Sequence, residues 1–310
     1  MIQVSNLTRY YGEFPALSDV SFDIREGEVI GLLGLNGAGK TTTLRILAGL
    51  MAASRGAVTL DGTDVGSASD ELKRRIGFLP EDPPLYGDMT VSAFLRHMGR
   101  LKGMSAARVE QRLGEVVALT NLQGRENQVI DTLSHGYRKR VGIASAFIHD
   151  PRLVILDEPI SGLDPVQIVE MRKVIRQLGQ GRMVIVSSHN LPEVTLTCDR
   201  ILVLRDGKLV ASGTENELAR GLGDARIVLT VRGEQAAFEE WLGAHGKVEK
   251  MTPRPVAHPY ASAIVDLQGD IREQFVSELI AAGFGIRLVE VPDDELEEIF
   301  LGLTRGEVQT

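Results

Sequence analysis

At 310 residues, with 43% hydrophobic and 25% charged residues, the chain has the length of two ordinary domains and a globular composition, which excludes a fibrous repeat and a disordered tract. Its longest apolar runs, such as "VIGLLGL", fall far short of the roughly 20 residues that span a bilayer, and "MIQVSNLTRYYGEF" lacks the profile of a secretory signal, so cytoplasmic residence is expected. The net charge of −8 is unevenly placed: residues 225–310 carry 8 Lys/Arg against 15 Asp/Glu, the rest 26 against 27, and so acidic a tail argues against nucleic acid as a partner.

The first 60 residues alternate β-rich runs with turns: "IQVSNLTRYY", "VSFDIREG", "EVIGLLG" and, beyond a helix, "GAVTLDG". After the third run stands "GLNGAGKT" (34–41), which fits G-x-x-x-x-G-K-[ST] with a strand before it and the helix "TTTLRILAGL" after it. The spacing has a chemical reason. Glycines let successive N–H groups converge on phosphate oxygens, and the following helix points its positive end at the same place. Gly34, Asn36, Gly37, Ala38 and Gly39 form this cradle, Lys40 adds a full charge, Thr41 offers a hydroxyl to Mg²⁺, and Thr42 reaches a nearer phosphate.

From 90 to 120 the period becomes helical. Val91, Phe94, Leu95, Met98 and Leu101 recur at three-and-four spacing, and Val109, Leu113, Val116 and Val117 do so again. Strands return as "RLVILDEP" and "MVIVSSH", apolar runs expected of parallel strands buried on both faces, with the amphipathic "PVQIVEMRKVIRQLG" between them. Asp157 ends the first run, where a P-loop protein needs a carboxylate to hold hydrated Mg²⁺, and Glu158 follows as a general base for the attacking water. His189 ends the second run and is expected at the same sheet edge, bonding the γ-phosphate or steadying the water. No N-K-x-D guanine reader occurs, the other histidines have no metal-ligand spacing, and the single Cys198 can form no internal disulfide.

The tail reads as strand "ARIVLTVRG", helix "EQAAFEEWLGAHG", strands "KVEKM" and "SAIVDLQ", helix "DIREQFVSELIAAGF", strand "IRLVEVP" and a last helix "DDELEEIFLGLT". This βαββαβ order fits a ferredoxin-like split βαβ unit followed by one helix. The Gly-rich, polar segment 213–225 is the expected junction, giving domains at 1–224 and 225–310.

One motif remains. "LSHGYRKR" (133–140), taken alone, is a basic helix start. Taken with the P-loop, "LVILDE", "SGLD" (161–164) and His189, it completes a set that resembles the ATP-binding subunits of ABC transporters over about residues 1–224, in the family's order: "LSHG" resembles the LSGG signature, "SGLD" the D-loop and His189 the switch histidine. The resemblance implies an α/β P-loop NTPase fold of ABC type: a parallel-sheet core, an antiparallel β subdomain and a helical subdomain at about 87–145, here with a small C-terminal α+β domain added. It implies an ATPase that uses ATP and Mg²⁺. It also implies a head-to-tail dimer, of two copies or of one copy with a close relative, in which Ser134 and the Gly136 N–H of one chain close on the γ-phosphate held by the other's P-loop, with Asp164 of the D-loop alongside. Tyr11 resembles the residue that stacks on adenine, Tyr10 fitting less well.

Two departures from the family pattern stand out. His135 replaces the first signature glycine, and Glu81 in "IGFLPEDPP" stands where the Q-loop usually has Gln, a carboxylate that can ligate Mg²⁺ but adds negative charge beside Glu158. The segment 81–94 is the expected rim of the groove for a membrane permease. Glu81, "LSHGYRKR" and the tail ending "LEEIFLGLT" resemble the ABC-2 export subfamily, including gliding-motility-type members, which implies export and a place on the inner face of the cell membrane through a separate permease. One rival is a soluble mechanical ATPase of the same superfamily acting on nucleic acid or ribosomes, disfavoured by the single cassette and the acidic tail. The other is a regulatory switch that binds ATP without cleaving it, opposed by Glu158 and His189.

Overall fold

The computed structural model describes residues 1–66, 70–220, 225–269 and 271–290; the helix expected near 293–304 and part of the expected junction lie outside them. The chain begins with β1 (Ile2–Tyr11), β2 (Phe14–Ile24), β3 (Val29–Leu33), α1 (Lys40–Leu47), β4 (Arg55–Leu60) and β5 (Thr63–Asp64). There follow α2 (Asp70–Lys73), β6 (Ile76–Leu79), α3 (Val91–Leu101), α4 (Ala106–Leu119), α5 (His135–Phe147), β7 (Leu153–Leu156), α6 (Pro165–Leu178), β8 (Met183–Ser188), α7 (Leu191–Thr195), β9 (Arg200–Arg205) and β10 (Lys208–Gly213).

These strands make two sheets. One is antiparallel, ordered β2-β1-β4-β5; the other is ordered β10-β9-β3-β8-β7-β6 and is parallel except for the edge strand β10. The apolar runs of β3, β7 and β8 are buried at every position, as parallel strands covered on both faces must be. Both sheets share one core, in which Ile2, Leu7 and Ile24 of the antiparallel sheet join Ile30, Leu32, Ile155 and Ile185 of the parallel one around Leu44 and Leu47 of α1. The ends of β3, β7 and β8 therefore arrive together at one edge, and that edge carries the residues singled out above.

The helical stretch holds α3 and α4, each capped by a hydroxyl. Thr90 accepts from the Ala93 N–H and Ser105 from the Arg108 N–H, satisfying donors that the first helical turn leaves free. Val91, Phe94 and Leu95 of α3 and Val109, Leu113, Val116 and Val117 of α4 are buried, whereas Leu101 is 63% exposed. The apolar stripe of α3 thus runs a turn past the packed surface, because the helix ends there and the chain leaves through Lys102 and Gly103. Cys198 is buried, and desolvation pushes its thiol up to about 12, so it is no nucleophile. Among the described residues no helix is long and apolar enough to cross a membrane.

Packing separates a first unit, Met1–Glu215, from a second that begins at Asn216. After α8 (Glu215–Arg220), the second unit has β11 (Ala225–Arg232), α9 (Gln235–Ala244), β12 (Val248–Arg254), β13 (Tyr260–Leu267), α10 (Arg272–Ala281) and β14 (Gly285–Glu290). Its sheet is ordered β12-β13-β11-β14, antiparallel throughout, so the first strand of the βαββαβ series lies between the third and the fourth. Ile227, Leu229 and Val231 alternate along β11 and pack with Phe238 and Leu242 of α9 and Phe275 and Leu279 of α10.

Candidate nucleotide site

The loop from β3 to α1 is shaped by its glycines. Gly37 and Gly39 have φ of +86° and +104°, and a Cβ on Gly39 would lie 2.7 Å from Leu17 Cδ2 and 2.8 Å from the Ala16 carbonyl oxygen. Only glycine fits there, on grounds of both conformation and space. This backbone leads into the N-terminus of α1, whose first turn carries no acidic residue to satisfy its positive end. Lys40 is 6% exposed; its ammonium donates to the Gly34 carbonyl at 2.7 Å and the Leu35 carbonyl at 3.4 Å, and lies 3.4 Å from Glu158 Oε1.

A cleft of about 230 Å³, open to solvent, lies over this loop. Asn36, Gly37, Gly39, Lys40, Thr41 and Thr42 of the loop and helix line it together with Glu81, Glu158 and His189. Ala16 and Leu35, which carry no sequence signal of a site, also line it.

Glu158 is held on every side. Its φ of +46° is left-handed, a strain of about 1–3 kcal/mol for a residue with a side chain. Its N–H donates to Ser187 Oγ at 2.9 Å, and its Oε2 lies 3.0 Å from His189 Nδ1. Ser187 Oγ in turn donates to Asp157 Oδ1 at 2.5 Å, while the Asp157 N–H donates to the Leu79 carbonyl at 2.9 Å. One fully buried hydroxyl on β8 thus sets both acidic residues at the end of β7. Ser187→Ala leaves a buried acceptor and a buried N–H without this partner, at about 1–3 kcal/mol. The expected result is a lower melting midpoint and an ATP turnover reduced by about tenfold, read from thermal melts and steady-state phosphate release.

The remaining sequence candidates lie elsewhere. Asp157 is 2% exposed and is not part of the cleft lining. Gly34 contributes the carbonyl that holds Lys40, and Ala38 is buried beneath the loop, its N–H donating to the Leu35 carbonyl. Tyr11 is outside the lining; its hydroxyl is 3.2 Å from Met51 Sδ, and the Arg9 guanidinium lies 5.2 Å over its ring. Ser134 and Gly136 stand at the start of α5, and Asp164 caps α6 by accepting from the Gln167 N–H at 2.9 Å. Gln167 joins these two motifs, since a Cβ on Gly136 would fall 2.1 Å from its Oε1. None of the three lines this chain's own cleft.

Convergent amides, a helix N-terminus and a buried lysine suit a polyphosphate. Among the described residues no group of three or more His, Cys, Asp or Glu could hold a metal ion by itself. The hydroxyl of Thr41 with a carboxylate of the same cleft would suit a Mg²⁺ that arrives with phosphates and keeps its waters.

Fold and site together define a P-loop nucleotide hydrolase. The chain matches the family model "ABC transporter" over residues 17–161. It is 32% identical to the linearmycin resistance ATP-binding protein LnrL of Bacillus subtilis (strain 168) over 98% of both chains. It is 29% identical to the Nod factor export ATP-binding protein I of Rhizobium etli over 99% of this chain and 94% of that one. Among solved structures, an ATP-binding subunit of an ABC transporter is 32% identical, covers 71% of this chain and 92% of its own, and has a TM-score of 0.64. The dimeric bacterial ABC transporter cassette MJ0796 is 27% identical, covers 69% of this chain and 98% of its own, and has a TM-score of 0.63. The chain belongs to the ABC transporter ATP-binding proteins. It is an ATPase subunit whose hydrolysis of ATP drives transport, and neither the mechanical nor the non-hydrolysing alternative is favoured.

Proposed function

We propose that the chain works as one half of an ATP-closed dimer beneath a separate membrane permease and powers export. The observation that carries this reading is that Ser134 and Gly136, at the opening of a 13-residue helix, stand apart from the cleft the same chain forms. A helix N-terminus suited to an anion and a cleft open on one side complement each other only across two molecules. The partner is a second copy or a close relative. ATP favours the closed pair because both chains bind it there, and that differential affinity is what shifts a permease between conformations.

The roles follow from position. The loop amides from Asn36 to Gly39, Lys40 and Thr42 bind phosphates; Thr41, Asp157 and Glu81 hold Mg²⁺, which supplies charge neutralisation at the phosphates. Glu158 takes the proton of the attacking water, and His189, bonded to Glu158 Oε2, orients that carboxylate toward the γ-phosphate. Asp164 lies beside the partner's nucleotide, and Tyr11 offers adenine the ring face opposite Arg9. Residues 1–224 are the ATP-binding domain, with a helical subdomain at about 87–145, and 225–310 a ferredoxin-like accessory domain. The linearmycin resistance and Nod factor export proteins support export as the direction, and a permease partner supports a place on the inner face of the cell membrane.

Isolation of the full chain from its native membranes tests this reading. A membrane-spanning protein should co-purify, and phosphate release should rise on its reconstitution in vesicles. Recovery without any membrane protein, together with nucleic acid binding that survives physiological salt, would overturn it.

A further inference from the structure

Lys139 lies one turn into α5 and is 4% exposed. Its ammonium donates to the main-chain carbonyl of Glu81 at 2.6 Å and to that of Glu158 at 3.4 Å. Among the described residues it makes no ion pair with a carboxylate. A lysine this deep is costly to keep charged, and burial lowers its pKa; Glu81, Asp82, Glu158 and Asp157, in that order, act to raise it. A buried cation without a contacting anion is retained where its charge or its donors are used.

Both uses are visible. The left-handed Glu158 is held at its N–H by Ser187 and at its carbonyl by Lys139, so the lysine completes the clamp on a strained residue. The cleft is lined by two carboxylates, Glu81 and Glu158, and by one cation, Lys40, which lies 3.4 Å from Glu158. Lys139 brings a second positive charge to the main chain of both glutamates, from the helix that Ser134 and Gly136 open.

We propose that Lys139 is a positioning residue: it ties the Glu81 and Glu158 main chains to α5 and supplies the positive charge that lets a carboxylate at position 81 stand beside Glu158. This rests on the reading of Glu158 as general base. The role belongs to the pair, since a neutral side chain at 81 removes the need for the charge at 139.

The test uses the full chain reconstituted with its permease, as wild type, Lys139→Gln, Glu81→Gln and the double variant. Gln at 139 keeps a hydrogen-bond donor and removes the charge. Lys139→Gln is expected to lower kcat by about tenfold while KM and the equilibrium affinity for a fluorescent ATP analogue move by less than about twofold. Adding Glu81→Gln is expected to recover most of the lost turnover, a coupling that a purely structural role would not produce. Wild-type kcat in Lys139→Gln, or a double variant whose losses simply add, would overturn the proposal. Should Lys139→Gln fail to fold, a folded double variant supports the charge balance, and failure of both overturns it. A wild type without ATPase activity, or a Glu158→Gln variant as fast as wild type, would instead strike the underlying reading.

Discussion

Glu158→Gln is expected to reduce ATP turnover by roughly 10² to 10⁴-fold, the contribution of a positioned general base, while leaving nucleotide binding intact. The substitution keeps the shape of a side chain that is 7% exposed and lodged between Lys40 and His189. It removes the capacity to take a proton from water. The left-handed backbone, the Ser187 bond and the Lys139 bond involve main-chain atoms and survive the change. A variant that binds but does not cleave should hold two chains around trapped nucleotide. Single-turnover phosphate release and light scattering with and without Mg-ATP check this, expecting a shift from one copy to two. A variant that stays monomeric under saturating Mg-ATP, alone and with the permease, would remove the shared-site scheme.

Lys40→Met is expected to fail one step earlier, at binding. The ammonium is pinned by the Gly34 and Leu35 carbonyls at the floor of the loop, which leaves it little to reorganise when a phosphate arrives. A charge-assisted hydrogen bond is worth roughly 1.5–3 kcal/mol, so ATP affinity should fall about ten- to a hundredfold. The substitution also strips Glu158 of its buried cation, since both side chains are under 10% exposed. Breaking a buried pair by removing one partner costs about 3–5 kcal/mol, so the melting midpoint without nucleotide should fall as well. Titration calorimetry with ATP separates this variant from Glu158→Gln: one loses affinity, the other only turnover. Unchanged affinity in Lys40→Met would mean that the cleft over α1 is not where the triphosphate sits.

How much of this was legible in the chain depended on how local the cause was. The phosphate loop could be read because its chemistry is contiguous: strand, glycines at left-handed positions, lysine and helix N-terminus lie within residues 29–47. β7 and β8 could be read because strands buried on both faces need unbroken apolar runs, so Asp157, Glu158 and His189 were found as the first polar groups past their ends. The α3 stripe over-reached at Leu101, since periodicity records which face is apolar and not where the neighbouring surface stops.

Other residues carried no such signal. Ser187 reads as one more strand residue until β8 is paired with β7, which sets its hydroxyl against Asp157 and the Glu158 N–H, 30 and 29 positions away. Gln167 meets Gly136 only because α6 is seated against the start of α5, and the Tyr11 hydroxyl beside Met51 Sδ is likewise a tertiary contact.

The amino-acid order alone determined the kind of chemistry, because a polyphosphate cradle and its acidic companions are short-range patterns written in consecutive residues. Tertiary structure alone decided how those parts are aimed: that one serine aligns two carboxylates, that Glu158 is twisted into a left-handed turn, and that Lys139 reaches 58 residues back to the Glu81 carbonyl. Hydrogen bonds between distant elements depend on strand order and helix seating, which the whole buried core selects.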